Sequence, residues 1–359
     1  MYTCDFGTSD CRDVRRTGGK AASLADMTAA GLPVAPGFAV TAQAYRAFLD
    51  QGTVRAQLTA ILDELGGSRN QDAFDEADRK IAALFESVSL PADVAAAVRG
   101  AYADLCATTA VDGIAVAVRS SATAEDSVGA SFAGEFETWI DIVGADAVLA
   151  HVHKCYVSVY SGRVLSYLAE KSIDPNDIEM AVVVQKTVRA RSAGVMFTIS
   201  PTTGDRSTIV LEAGWGLGLA VVGGEITPDR FLVDKIGMTV VERVVGDKRI
   251  EYRRGDAPRK VPDDRIGALC LDDDEVLALA ELGRRLETMH GAPQDIEFAI
   301  DEELEPGRNL LLLQCRPETV WSGVERAPAF DTAAGLMGWI THSVSGAAPV
   351  GAHDTSHKH

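Results

Sequence analysis

The sequence predicts an α+β protein whose strands run mainly antiparallel. Strand-like runs gather at 114–142, 178–245 and 294–317 and do not alternate singly with helices. An almost wholly helical stretch, 53–107, lies ahead of them. The last two strand-like runs are joined by a short connection containing Glu-Pro-Gly, as a hairpin requires. A regular βαβ order would read differently.

Taken in order, residues 18–31 predict a helix with Leu24 and Met27 on one face, stopped by Gly31. Pro33 and Pro36 lead into a strand at 37–40, and Thr41 is placed to N-cap the next helix. Within 53–107, apolar residues recur at helical intervals, and Pro91 stands near a helix start. A strand at 114–118 ends at Arg119, followed by a loop of Ser, Thr, Ala and Gly. One long helix is expected over 145–171, then five strands between 178 and 245. A polar connection covers 246–270, an amphipathic helix 273–290, and two strands 294–301 and 309–317.

Composition narrows the classes of function. The chain has 359 residues, 47% hydrophobic and 24% charged, with a formal net charge of −18. Nucleic-acid binders carry a basic excess, and this chain carries the reverse, so no nucleic-acid partner is expected. No apolar run is long enough to span a bilayer, and the N-terminus lacks a signal core. The six cysteines are scattered and form no C-x-x-C. Reduced thiols and a cytoplasmic location are therefore expected. An acidic chain can still bind ATP, because local donors and a metal decide that.

Four constellations carry chemical promise. Arg119 followed by small hydroxyl residues can clamp an anion, or can be a solvent-exposed hairpin loop. Gly18-Gly19-Lys20 sets a cation at a helix start, though it is no Walker A loop. In the closing hairpin, strict alternation puts Asp295, Glu297, Gln314 and Arg316 on one face, with Ala299, Leu310 and Leu312 continuing it. The same alternation puts Ile296, Phe298, Ile300, Leu311, Leu313 and Cys315 on the other. A carboxylate beside an amide oxygen suits Mg²⁺, and arginine suits phosphate. Last, the strand leaving the core at Gln185-Lys186-Thr187-Val188 can offer its edge to a purine. The glycine-rich run at 212–224 can pass close to a ligand or simply pack tightly.

Together these segments resemble a known family. GGKAASLADMTAAGLPVAPGFAVTAQAY (18–45), VRSSATAEDSVGASFAGEFET (118–138), GVMFTISPTTG (194–204), EAGWGLG with VVGGEITPDRF (212–231) and QDIEFAID with LLLLQCRP (294–317) occur in this order. They are similar to the N-terminal nucleotide-binding domain of phosphoenolpyruvate synthase, in the family of pyruvate phosphate dikinase and rifampicin phosphotransferase. The resemblance covers about 17–322. It implies an ATP-grasp fold of two lobes with a helical insertion in the first, and ATP with Mg²⁺ between them. The implied boundaries are 1–112 and 113–190 for the N-terminal lobe, 191–322 for the C-terminal lobe, and 323–359 for a flexible tail.

By the same resemblance, Lys20, Arg119 and Arg316 would grip phosphates and be the catalytic residues. Ser131 and Gly134 would lie in a loop closing over them. Gln185, Lys186 and Val188 would hold adenine, and Glu297 and Gln314 would ligate Mg²⁺. Two departures stand out. Leu219 replaces an acid that usually follows the GLG. The swivelling domain with its phosphorylated histidine is missing, and His342 reads as incidental. The implied protein is the ATP-using subunit of a split phosphotransferase like phenylphosphate synthase. A partner subunit would then carry the phosphohistidine and the acceptor site, for phenol or pyruvate. A non-catalytic ATP-sensing subunit and an ATP-dependent ligase making ADP stay open.

Overall fold

Alternating and fully buried strand patterns assemble here into two antiparallel sheets that face different helical layers. The computed structural model describes residues 1–68, 70–123, 137–255 and 257–321. The first sheet holds β1 (Thr3–Asp5), β2 (Gly37–Val40), β3 (Ala115–Ala122), β4 (Thr138–Val143) and β5 (Met180–Lys186), in the order β1-β2-β5-β3-β4. The second holds β6 (Ala190–Phe197), β7 (Thr208–Trp215), β8 (Asp229–Asp234), β9 (Thr239–Val244), β12 (Gln294–Asp301) and β13 (Leu310–Pro317), in the order β13-β12-β6-β7-β8-β9. The short strands β10 (Ile250–Glu251) and β11 (Arg259–Lys260) pair in the polar connection. Met1 to Glu318 form one compact unit.

Helices cover one face of each sheet. α2 (Ala42–Leu49), α3 (Val54–Leu65), α4 (Gln71–Glu86), α5 (Ala92–Thr109), α6 (Ala145–Ser158) and α7 (Gly162–Lys171) bury Phe48, Phe85, Tyr156 and Leu168 against Val116, Val118, Val182 and Val184 of the first sheet. The second sheet is covered by α10 (Asp273–His290), through Val276, Leu279, Ala280 and Leu286. This helix starts with a reciprocal capping box, Asp272 with Glu275, and ends at Gly291 in the left-handed region. Two four-residue helices, α8 (Leu219–Val222) and α9 (Asp263–Ile266), sit in connections. α1 (Val14–Ala29) joins the two layers: Leu24 and Met27 pack with Ala39 and Val183 of the first sheet and with Ile296 and Cys315 of the second.

Several local expectations are corrected. α1 begins before residue 18 and kinks at Gly18, which has φ 73° and ψ 168°. The expected helix over 145–171 is two, because Ser161 caps α7 by accepting from the Val164 amide. Thr41 occupies the N-cap of α2, but its hydroxyl donates to the Met1 carbonyl instead of capping. β3 continues to Ala122, so Arg119 lies inside the strand and Ser121 belongs to it as well. The expected loop residues Ser131 and Gly134, and His342, lie outside the described residues.

The largest correction is in the closing hairpin. Asp295 faces Arg316 and Glu297 faces Gln314, but Phe298 then faces Leu312, so Leu313 is an extra residue in β13. Such a bulge reverses the alternation beyond it. Leu310 and Leu312 therefore join the core under α10, while Leu311 and Leu313 belong to a small cluster on the opposite face.

Candidate functional site

Register fixes which side chains share the sheet faces turned away from α2–α7 and α10. On β12, Asp295, Glu297, Ala299 and Asp301 alternate onto the face opposite Ile296, Phe298 and Ile300. On β3, Arg119 pairs with Val183 and Thr138, on the face opposite the helical layer. From there it reaches the second sheet. Its Nη2 donates to Glu297 Oε2 at 2.7 Å and to Gln314 Oε1 at 3.0 Å. Its Nη1 donates to the Leu313 carbonyl at 3.1 Å. That carbonyl belongs to the bulged residue, which has no pairing partner on β12. Arg119 is 12% and Glu297 25% exposed, so the pair is sheltered without being fully dry.

Charge on these groups follows from their neighbours. Burial pushes the Glu297 carboxyl up, but Arg119, first by its charge and then by its hydrogen bond, and then Arg316 and Lys20, hold it below the ordinary glutamate range. Asp295 behaves oppositely. Burial raises it, and the Arg316 guanidinium, 2.6 Å away, does not fully compensate. Arg316 thus lies on the site face with Asp295 as its partner, one step along the strand from Glu297 and Gln314.

The kink of α1 presents Lys20. Gly18 is required there twice over: its φ is positive, and a Cβ would sit 2.1 Å from the Ser121 carbonyl oxygen. Ser121 Oγ donates to the Thr17 carbonyl at 2.9 Å and accepts from the Ala21 amide at 3.3 Å. A β3 hydroxyl therefore caps the second segment of α1 from outside. Lys20 lies close enough to act on the charge of Glu297.

The segment between the sheets is tightly held. Gln185 is 2% exposed and donates through Nε2 to the Ala35 carbonyl at 3.2 Å. The Lys186 amide donates to the Pro36 carbonyl, and its Nζ lies 3.8 Å from Asp301. Val188 packs with Ala35, Ala190, Ala193, Ala299 and Leu311, an apolar patch between the two sheets. The structure thus gathers Lys20, Arg119, Glu297, Gln314 and Arg316 at one end of this face, and Gln185, Lys186 and Val188 at the other. Leu219 is the first residue of α8 and is 38% exposed. Glu212 aligns with Val195 and Glu297 across the sheet, two strands and so about 10 Å from Glu297.

Glu297 Oε2 and Gln314 Oε1 converge on one cationic nitrogen, Arg119 Nη2. Two hard oxygens converging on a positive point form a donor pair that suits Mg²⁺ completed by phosphate and water. Among the described residues, no group of three or more His, Cys, Asp or Glu side chains is placed to hold a metal without such help.

Residues 14–334 match the family described as pyruvate phosphate dikinase, AMP/ATP-binding domain. The chain belongs to that family. The chain is 40% identical to phosphoenolpyruvate synthase of Aeropyrum pernix over 333 residues, which is 85% of this chain and 41% of that protein. It is 39% identical to the probable phosphoenolpyruvate synthases of Methanocaldococcus jannaschii and Methanothermobacter thermautotrophicus, covering 26% and 46% of their lengths. The chain thus spans less than half of each of these relatives. No helix among the described residues is long and apolar enough to cross a membrane.

Some of the geometry escaped the sequence reading. The Leu313 carbonyl is a backbone group created by the bulge, and no residue type announces it. Ser121 reads as loop by its residue type, and its place directly after a run of strand residues is the signal for β3. Asp301 was legible as the fourth member of the alternation D-x-E-x-A-x-D, yet its burial was not.

Proposed function

We propose that this chain binds Mg²⁺ and ATP between its two sheets. It would pass the β-phosphate of ATP to a histidine supplied from outside the described fold, with AMP leaving as that bond forms and water cleaving the β–γ bond to release phosphate. The observation that carries this reading is Arg119, which reaches from the first sheet to Glu297, Gln314 and the Leu313 carbonyl on the second. Lys20, Arg119 and Arg316 bind the phosphates. Glu297 and Gln314 hold the metal, which when bound neutralises phosphate charge. Gln185, Lys186 and Val188 seat adenine. Phosphoryl transfer of this kind rests on positioning and charge neutralisation, which these residues supply.

No acid–base group is needed from this face, and the described histidines are placed elsewhere. His151 and His153 lie on α6 and His290 ends α10. The nucleophile is therefore assigned to a partner subunit or a further domain, which would also bind an acceptor such as phenol or pyruvate. A second reading, an ATP-binding subunit that regulates without turnover, is favoured by one feature: Leu219 where the family usually has an acid. Incubation with ATP and a histidine-bearing phosphotransferase partner separates the readings. AMP with phosphate is the expected product pair. ADP as sole product rejects the proposal, and nucleotide binding with no turnover supports regulation.

A further inference from the structure

Asp301 stands apart from the site's other acids. Its carboxyl is fully buried, at the far end of the same β12 face as Glu297. Four strand steps separate the two, about 13 Å at about 3.3 Å per residue. Ala299 lies between them, in the apolar patch with Val188 and Leu311. The face thus runs from charged, through apolar, to a single acid, in the order of phosphates, sugar and base in an extended nucleotide.

One Asp301 oxygen is used internally: Oδ1 accepts from the Glu303 amide at 2.8 Å. The other, Oδ2, is buried with no hydrogen-bond donor. The nearest cation, Lys186 Nζ, stops at 3.8 Å, beyond hydrogen-bonding reach. A buried acceptor left in this way is costly unless something donates to it. Asp301 also pairs across the sheet with Ala190, next to the segment proposed to hold adenine.

We propose that Asp301 is the base-specificity residue: its Oδ2 accepts a hydrogen bond from the exocyclic 6-amino group of the purine. A 6-oxo purine would set acceptor against acceptor at the same place. This inference rests on the nucleotide reading above and adds to it the choice of 6-amino over 6-oxo purine. Lys186 Nζ stands 3.8 Å from Oδ2, and the Lys186 amide donates a hydrogen bond to the Pro36 carbonyl.

The test is a titration of the purified chain with ATP and with ITP, both with Mg²⁺, in the wild type and in Asp301→Asn. The asparagine can still accept from Glu303 and can donate to a 6-oxo group. The wild type should bind ATP about tenfold or more tightly than ITP, and the variant should narrow that preference by about tenfold. Thermal unfolding checks that the variant folds. Should it not, Asp301→Ser, whose hydroxyl also accepts and donates, carries the same comparison. An unchanged ATP-to-ITP ratio in a folded variant, or equal affinities in the wild type, overturns the inference while leaving ATP binding intact. A wild type that binds neither nucleotide overturns the nucleotide reading itself, and this inference with it.

Discussion

Arg119 shows how one side chain sets the state of its neighbours. With it present, Glu297 is held ionised against burial. A carboxyl whose folded pKa is lowered adds stability above its unfolded value, near 4.5, and loses it as pH falls through the folded value. Asp295, raised by burial, has the opposite sign: its contribution is present below the ordinary aspartate value and lost as pH rises through the folded one. Arg119→Met leaves Glu297 sheltered beside Gln314 without its main counter-charge. Urea unfolding at pH 7 should show a loss of about 2 kcal/mol, below the usual cost of breaking a fully buried pair because Glu297 is partly solvated. The gap to wild type should narrow as pH falls through the lowered folded value of Glu297, where protonation removes the ion pair. Gly18→Ala tests a different residue-scale constraint. A Cβ in van der Waals conflict with Ser121, on a backbone at φ 73°, should cost about 3 kcal/mol, read as a fall in the thermal midpoint. Residue identities in this site were readable because each acts through its own chemistry: a lysine after two glycines, an arginine in a strand, an acid facing an amide. Partners such as the Leu313 carbonyl were not readable, since any residue type supplies one.

At the scale of elements, the β13 bulge decides what the hairpin can do. Parity from the Asp295–Arg316 end was legible and correct, but nothing in four consecutive leucines marks which one is extra. The bulge places Leu313 and Gln314 on the same side and turns a backbone oxygen toward Arg119. Deleting Leu313 restores plain alternation, keeping Gln314 and Arg316 on their face and Leu312 in the core. The carbonyl contact is lost, together with the Leu313 side chain's part in the small apolar patch. Calorimetry should therefore show Mg·ATP binding weakened by about tenfold, the worth of roughly one charge-assisted hydrogen bond. Thermal stability should change little by comparison. Equal affinity would show that Arg119 needs no backbone support.

For the molecule as a whole, element order was readable and neighbourhood was not. β2 lies beside β5 and β6 beside β12, pairs whose members are about 100 or more residues apart in sequence. Hydrophobic periodicity identifies an element but carries no address for its partner. The first sheet is also tied to the polar connection. Asp141 on β4, at φ 59°, accepts the Gly255 amide from the polar connection through Oδ2 at 2.9 Å. A nucleotide spanning the sheets should stabilise them together. At a hundredfold excess over its Kd, Mg·ATP should add about 2.7 kcal/mol to unfolding, visible as a higher thermal midpoint that ATP with Glu297→Ala does not give.

α1 is fastened twice within three residues. The Ala21 amide donates to Ser121 on β3, and Ser23 Oγ donates to the Cys315 carbonyl on β13 at 2.7 Å. Any shift of one sheet against the other must strain these two bonds, and Lys20 moves with the helix that carries them. On the proposed reading, hold on the phosphates and the spacing of the two sheets are then one coordinate, and widening the gap loosens the hold.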